Sequence, residues 1–226
     1  MKPIGKYDIP TDSLRTYQAS NSIIFKKNNE IYGDLSNMSM KYPLEINNVR
    51  ILNTEALYQA CRFPHLVDLQ TKIILEKSPM KVKMISNANK KYSREDWDEV
   101  KLKVMKWCLN LKLAQNFISF GHILDSTKDL SIVENSSKDN YWGAIPNEDA
   151  SIYVGQNALG RLLMQLREEY RSPNKYSLLI VEKPKIENFM LYGIEISKLD
   201  CREKFIQDLK GYFNNMQLDF FNNSLI

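Results

Sequence analysis

The sequence predicts an α+β fold, and three observations point to it. Short apolar segments bracketing Asn-Asn pairs crowd the first fifty residues, as tight turns between strands require. Stretches with apolar residues at helical spacing follow, most clearly over 97–111 and 157–170. A length of 226 residues suits one generous domain carrying an extension.

Taken in order, residues 1–21 are polar and read as a lead-in. Strands are expected over 22–26 and 30–32 around Asn28-Asn29, and over 44–46 and 49–52 around Asn47-Asn48, because asparagine tolerates positive φ. Between the two pairs runs Tyr32-Gly33-Asp34-Leu35-Ser36-Asn37-Met38, a loop whose glycine permits close backbone approach. Asn53 or Thr54 caps a helix over 55–63. Ser78-Pro79 starts a further helix carrying Lys83, since proline suits the first helical position. Ser93-Arg94-Glu95-Asp96 resembles a capping arrangement and opens a helix with Trp97, Val100, Val104, Trp107, Cys108 and Leu111 on one stripe.

A shorter helix is expected over 118–124, a buried strand or turn over 130–133, and a polar loop over 135–143. The helix over 157–170 buries Leu159, Leu162, Leu163 and Leu166. Gly160 inside it costs about 1 kcal/mol against alanine, so a close helix contact or a ligand should compensate. Beyond 172 come strands over 177–181 and 189–191 and a helix over 201–213. Residues 22–171 are thus read as the main domain and 172–226 as an accessory region packed on it.

Composition narrows the function classes. With 43% hydrophobic and 26% charged residues the chain is a folded protein rather than a disordered one. It shows no signal peptide and no apolar run near the ~18 residues of a membrane span, so a cytoplasmic protein without a membrane partner is expected. Cys61, Cys108 and Cys201 are far apart and read as reduced, packed thiols. Two histidines without close Cys/His spacing argue against a metal, and no cofactor is expected. Net charge is only +4, but Lys81, Lys83, Lys90, Lys91, Arg94, Lys101, Lys103 and Lys106 crowd one quarter of the chain. They form either a solvated face or a polyanion surface.

The groups able to do chemistry gather around the first helix. Positions i, i+4 and i+7 share a helix face, so Glu55, Gln59 and Arg62 point together while Ala56, Ala60 and Phe63 pack inward. Each candidate also has an ordinary explanation. Glu55 favours the helix dipole, Trp97 suits a core, Asp139 and Asn157 suit turns or caps, and Lys83 suits the surface. A lysine beside a carboxylate in a partly dry cavity can instead attack an anomeric carbon. Phosphate-loop, dinucleotide-fold, nucleophile-elbow and zinc-helix motifs are absent.

Tyr32-Gly33-Asp34-Leu35-Ser36-Asn37, Glu55-x-x-Tyr58-Gln59-Ala60, Ser78-Pro79, Asp96-Trp97, Asp139-x-x-Trp142-Gly143 and Asn157-x-Leu159-Gly160-x-Leu162-Leu163-Met164-x-Leu166-Arg167 occur in one order. In that joint order the chain resembles the NADAR (YbiA-like) superfamily over roughly residues 22–170. The resemblance implies a compact, mainly helical α+β domain that cleaves N-glycosidic bonds, in some members of riboflavin intermediates and in others of ADP-ribosylated guanine. Gln59-Ala60-Cys61-Arg62-Phe63-Pro64-His65 and Ser78-Pro79-Met80-Lys81-Val82-Lys83-Met84 look most like the NADAR domain of DarG-type antitoxins. That likeness implies ADP-ribosylated DNA as substrate and a DarT-type toxin as partner.

Carried over by resemblance, Glu55 shuttles protons, Lys83 forms a Schiff base with the opened sugar, and Asp139 orients the ribose or the lysine. Gly33, Asn37, Gln59, Arg62, Trp97, Trp142 and Asn157 are the implied substrate-binding residues. Relatives of the riboflavin type usually carry lysine where Arg62 stands. Either the working lysine has moved to position 83, with Arg62 clamping phosphate or ribose, or water attacks directly. The 146–155 segment departs from the glycine-rich pattern of those relatives, implying a different substrate rim. A riboflavin-pathway N-glycosidase and a non-catalytic ADP-ribose or NAD module remain the alternatives.

Overall fold

The structure, a computed structural model, describes residues 14–26 and 29–223. The described residues begin with β1 (Arg15–Gln18) and β2 (Ser22–Phe25), then the 3-10 turn Gly33–Leu35 and the hairpin β3 (Leu44–Ile46) and β4 (Val49–Ile51). Helices α1 (Thr54–Ala60), α2 (Val67–Leu75), α3 (Pro79–Ala88), α4 (Trp97–Gln115) and α5 (Phe117–Ser126) follow. Strand β5 (Ser131–Glu134), the hairpin β6 (Ile145–Pro146) and β7 (Ile152–Gly155), and α6 (Ala158–Arg171) complete the central part. Short strands β8 (Ile180–Val181), β9 (Met190–Leu191), β10 (Ile194–Glu195) and β11 (Leu199–Asp200) lead to α7 (Arg202–Asn223). A mixed α+β architecture with several small sheets results.

The Asn47-Asn48 hairpin forms as its residues dictate, both asparagines having positive φ, 51° and 61°. The first strand pair does not. Strand β2 lies parallel to β5, pairing Ser22 with Ser131 through Phe25 with Glu134, and residues 30–32 form a turn. The Asn28-Asn29 turn falls partly outside the described residues. A parallel partner more than a hundred residues away leaves no local trace, which is why a hairpin was the natural expectation. The lead-in is also partly ordered, because β1 runs antiparallel to β7, in register from Arg15–Gly155 to Gln18–Ile152. Residues 1–13 of that segment lie outside the described residues.

One core holds the helices together. Leu57 and Phe63 near α1, Val104 and Leu111 of α4, and Leu163 of α6 are all buried in it. The expected stripe of α4 is buried throughout. Its start is not a capping box: Asp96 makes no side-chain cap and is gripped by Arg94 Nε and Nη2 at 2.5 and 3.0 Å, while Ser93 Oγ bonds the Lys90 carbonyl. Helix α2 escaped the sequence reading because Leu66 at its N-cap offers no side-chain acceptor and few of its residues are buried. Residues 177–179 are 3-10 rather than strand, with only Ile180–Val181 extended.

The segment after α6 adds to the same core through Leu179, Val181, Phe189, Leu191 and Ile196, with the rings of Trp107 and Phe189 edge to face at 4.8 Å. Cys61, Cys108 and Cys201 are buried and unpaired. Among the described residues, no helix is long and apolar enough to cross a membrane, and no group of three or more His, Cys, Asp or Glu side chains is placed to hold a metal.

Candidate active site

Two adjoining cavities meet at α1. The inner chamber, about 60 Å³, is lined by Asn37, Glu55, Tyr58, Gln59, Lys83, Met105, Glu134 and Trp142, with Ser36, Met38 and Leu159 completing its wall. An outer groove of about 640 Å³ shares Tyr58, Gln59, Lys83 and Trp142, and adds Arg62, Lys90, Lys91, Trp97, Lys101 and Asp139 among others.

The local sequence explains how α1 presents its polar face. Asn53 caps it, its Oδ1 accepting from the Ala56 amide at 2.9 Å, and the Glu55 amide donates to the Asn37 carbonyl at 2.9 Å. Glu55 is therefore fixed in the first turn and only 6% exposed. Gln59 Nε2 donates to its Oε1 at 2.8 Å, the i, i+4 pair expected from spacing. Burial raises the Glu55 carboxyl above its ordinary pKa, opposed by the Lys83 charge and the Gln59 hydrogen bond.

Arg62 Nε donates to Ser93 Oγ at 2.6 Å, and its guanidinium lies 5.5 Å from the Trp97 ring. Burial lowers its pKa, opposed by Tyr58 and Asp98. The Tyr58 ring packs against both tryptophans, 5.2 Å from Trp97 and 5.6 Å from Trp142, so Tyr58 and Trp142 border both cavities and Trp97 the groove.

The loop before the first hairpin is held from behind by Lys112. This fully buried lysine donates to the Asp34 and Ser36 carbonyls at 2.9 and 3.0 Å, and its ammonium lies over the Phe120 ring at 4.1 Å. Burial pushes its pKa down to about 7, opposed by Asp34. The loop carries Asn37, whose Nδ2 contacts Met105 Sδ at 3.0 Å and whose Oδ1 is buried without a hydrogen-bond partner.

Of the sequence-derived candidates, Asn37, Glu55, Gln59, Lys83 and Trp142 meet at the chamber, and Arg62, Trp97 and Asp139 line the groove. Asp139 also caps its own loop, Oδ1 accepting from the Tyr141 and Trp142 amides at 3.0 and 2.9 Å. Gly33 and Asn157 line neither cavity. Gly33 sits buried in its 3-10 turn, while Asn157, left-handed at φ 50°, ties α6 to β5. Its Oδ1 accepts from the Glu134 amide at 3.1 Å and its Nδ2 donates to the Ile132 carbonyl at 2.8 Å. Gly160 is needed for the same junction, because a Cβ there would overlap the Ile132 carbonyl.

Sequence reasoning missed Glu134. It lies at the end of β5, half-buried, and lines the chamber together with Glu55 and Lys83. Burial pushes its carboxyl up to about 7, opposed by Lys83 and reinforced by Glu55 and Asp139. An acidic residue ending a buried apolar strand, Ser131-Ile132-Val133-Glu134, was the signal available.

Comparison with known proteins places the chain in a family. A riboflavin biosynthesis protein of Vibrio vulnificus (strain YJ016) is 30% identical over 178 residues, which cover 76% of this chain and 46% of that protein. The chain thus matches under half the length of that relative. N-glycosidase YbiA of Escherichia coli (strain K12) is 31% identical over 147 residues, 65% of this chain and 87% of YbiA. The solution structure of E. coli YbiA superposes with a TM-score of 0.54 at 27% identity, covering 67% of this chain and 89% of that one. Residues 24–171 match the NADAR domain, and the chain belongs to the NADAR family.

Proposed function

We propose that the chain is an N-glycosidase whose substrate is guanine-linked ADP-ribose in DNA, and that it acts as the antitoxin to a DNA ADP-ribosylating toxin. The observation that carries the reading is a small chamber with two carboxyls and one lysine, adjoining a wide groove lined by cations and aromatic rings. Relatives named N-glycosidase support the bond type. Inside the chamber, Asn37 Oδ1 and Gln59 Oε1 are buried acceptors without partners, and sugar hydroxyls would satisfy them. Outside it, Arg62, Lys90, Lys91 and Lys101 suit a diphosphate and nucleic-acid backbone, and Trp97 and Trp142 suit a stacked base.

These placements support the following chemistry. Glu55 relays a proton from the Lys83 ammonium to the ribose ring oxygen, the ring opens, and an iminium forms between the anomeric carbon and the guanine exocyclic nitrogen. Lys83, its proton given up in that step, adds to that carbon, and the carbon–guanine nitrogen bond breaks, its electron pair leaving with guanine. Water then adds to the Lys83 imine and releases ADP-ribose, so one water is consumed and the lysine returns unchanged. Acid–base placement of this kind contributes on the order of 100- to 10,000-fold.

The test incubates the protein with an ADP-ribosylated guanine oligonucleotide, with and without borohydride. Wild type should release ADP-ribose and form a reducible adduct, whereas Lys83→Ala should form none. An adduct persisting in Lys83→Ala removes the lysine from its role. Oligonucleotide affinity should also fall as salt rises, with a log–log slope of about −2 to −4 if the four groove cations meet phosphates.

The names of the Vibrio and maize relatives favour a second reading, a ribosylamino intermediate of riboflavin synthesis as substrate. Turnover of a ribosylaminopyrimidine phosphate in preference to the oligonucleotide would establish it. A non-catalytic module would leave function intact in Glu55→Gln.

A further inference from the structure

We propose that Glu134 is a second catalytic carboxyl, the acid that protonates the departing amine while Glu55 serves the ring oxygen. The inference rests on the N-glycosidase reading and assigns the proton that the reading leaves without a donor. Opening the sugar and expelling the base require protons at two different atoms, both bonded to the anomeric carbon. One carboxyl fixed in the first turn of α1 faces only one of them.

Glu134 approaches the chamber from a separate element. Its backbone is pinned on both sides: the amide donates to Asn157 Oδ1 at 3.1 Å and the carbonyl accepts from the Ala144 amide at 2.8 Å. Gly143 makes room for that carbonyl, since a Cβ there would stand 2.5 Å from it. The carboxyl itself makes no hydrogen bond or ion pair among the described residues, so no structural bond accounts for placing it in a partly closed cavity.

The charged groups facing it are Lys83 from α3, Glu55 from α1 and Asp139 from the loop after β5. Two carboxyls in one small chamber disfavour double ionisation. Gln59 donates to Glu55 and stabilises its anion, and Glu134 has no such donor. The shared proton therefore rests on Glu134. When Lys83 displaces guanine, the carbon–nitrogen bond breaks, the nitrogen keeps the electron pair and takes the Glu134 proton. The resulting carboxylate accepts a proton from the water that adds to the lysine imine, which restores the acid.

The experiment measures kcat and KM against pH for wild type, Glu134→Gln and Glu134→Asp on the N-linked substrate that wild type turns over, with melting curves as the folding control. Glu134→Gln should lose on the order of 100-fold in kcat with KM little changed. The wild-type rate should fall as pH rises above neutrality, and that alkaline limb should vanish in Glu134→Gln and reappear, shifted, in Glu134→Asp. A Glu134→Gln enzyme with wild-type kcat overturns the proposal. So does one that is slower but keeps the wild-type alkaline limb, because a merely structural glutamate would behave that way. Wild type releasing base from neither candidate substrate defeats the N-glycosidase reading itself, a separate outcome.

Discussion

Glu55 shows how far a single residue can be read before its surroundings are known. Helical spacing placed it with Gln59, and the Gln59 hydrogen bond follows that spacing. Its lysine neighbour came from another helix, and Glu134 from a strand that helical spacing does not connect to Glu55. Asn157 misled for the opposite reason: an asparagine before a helix signals a cap or a ligand equally well, and here its amide serves backbone. The chamber's carboxyls also have a measurable effect on stability. Both have raised pKa values, so the folded state binds protons more tightly than the unfolded chain. That stabilisation is present below the ordinary glutamate range and is lost as pH rises toward about 7 for Glu134. Glu134→Gln removes the loss. In urea titrations it should match wild type near pH 4.5 and exceed it at pH 8, by on the order of 1 to 3 kcal/mol.

At the scale of elements, helices with caps or long apolar stripes were legible, as in α1, α3, α4 and α6. The parallel β2–β5 pair and the β1–β7 pair were not, because their partners are distant in sequence. Lys112 was hidden for a related reason: in a helix sequence nothing separates a lysine facing solvent from one facing two carbonyls. It supports the 33–38 turn, and that turn in turn supplies Asn37 to the chamber and a carbonyl to the Glu55 amide. Lys112→Met should leave the Asp34 and Ser36 carbonyls unsatisfied and cost about 2 to 4 kcal/mol at neutral pH, measured by urea unfolding. In the same variant kcat should fall severalfold, since the loop that sets Glu55 loosens.

For the molecule as a whole, the segment after α6 is part of the core that backs the site. Arg94 Nη2 donates to the Glu187 carbonyl at 2.7 Å, and Phe189 packs on Trp107. A chain ending at Arg171 would uncover Trp107 and the faces under Leu179, Val181 and Leu191. Such a truncation should lose cooperative thermal unfolding and bind a hydrophobic dye, even though it retains every residue lining the chamber. The clamped end of β5 has a mechanical consequence. With its peptide pinned at both faces and α6 pressed against it at Gly160, that wall of the chamber behaves as an anvil. By contrast, α3 buries only Val82 and Ser86 and leaves Lys83, at the chamber, and Met84 exposed, so it is the compliant jaw. Amide hydrogens over 80–88 should exchange faster than those over 131–134, and a bound ligand should slow the first group far more than the second. Substrate would then be gripped by the lysine closing onto two carboxyls that do not move.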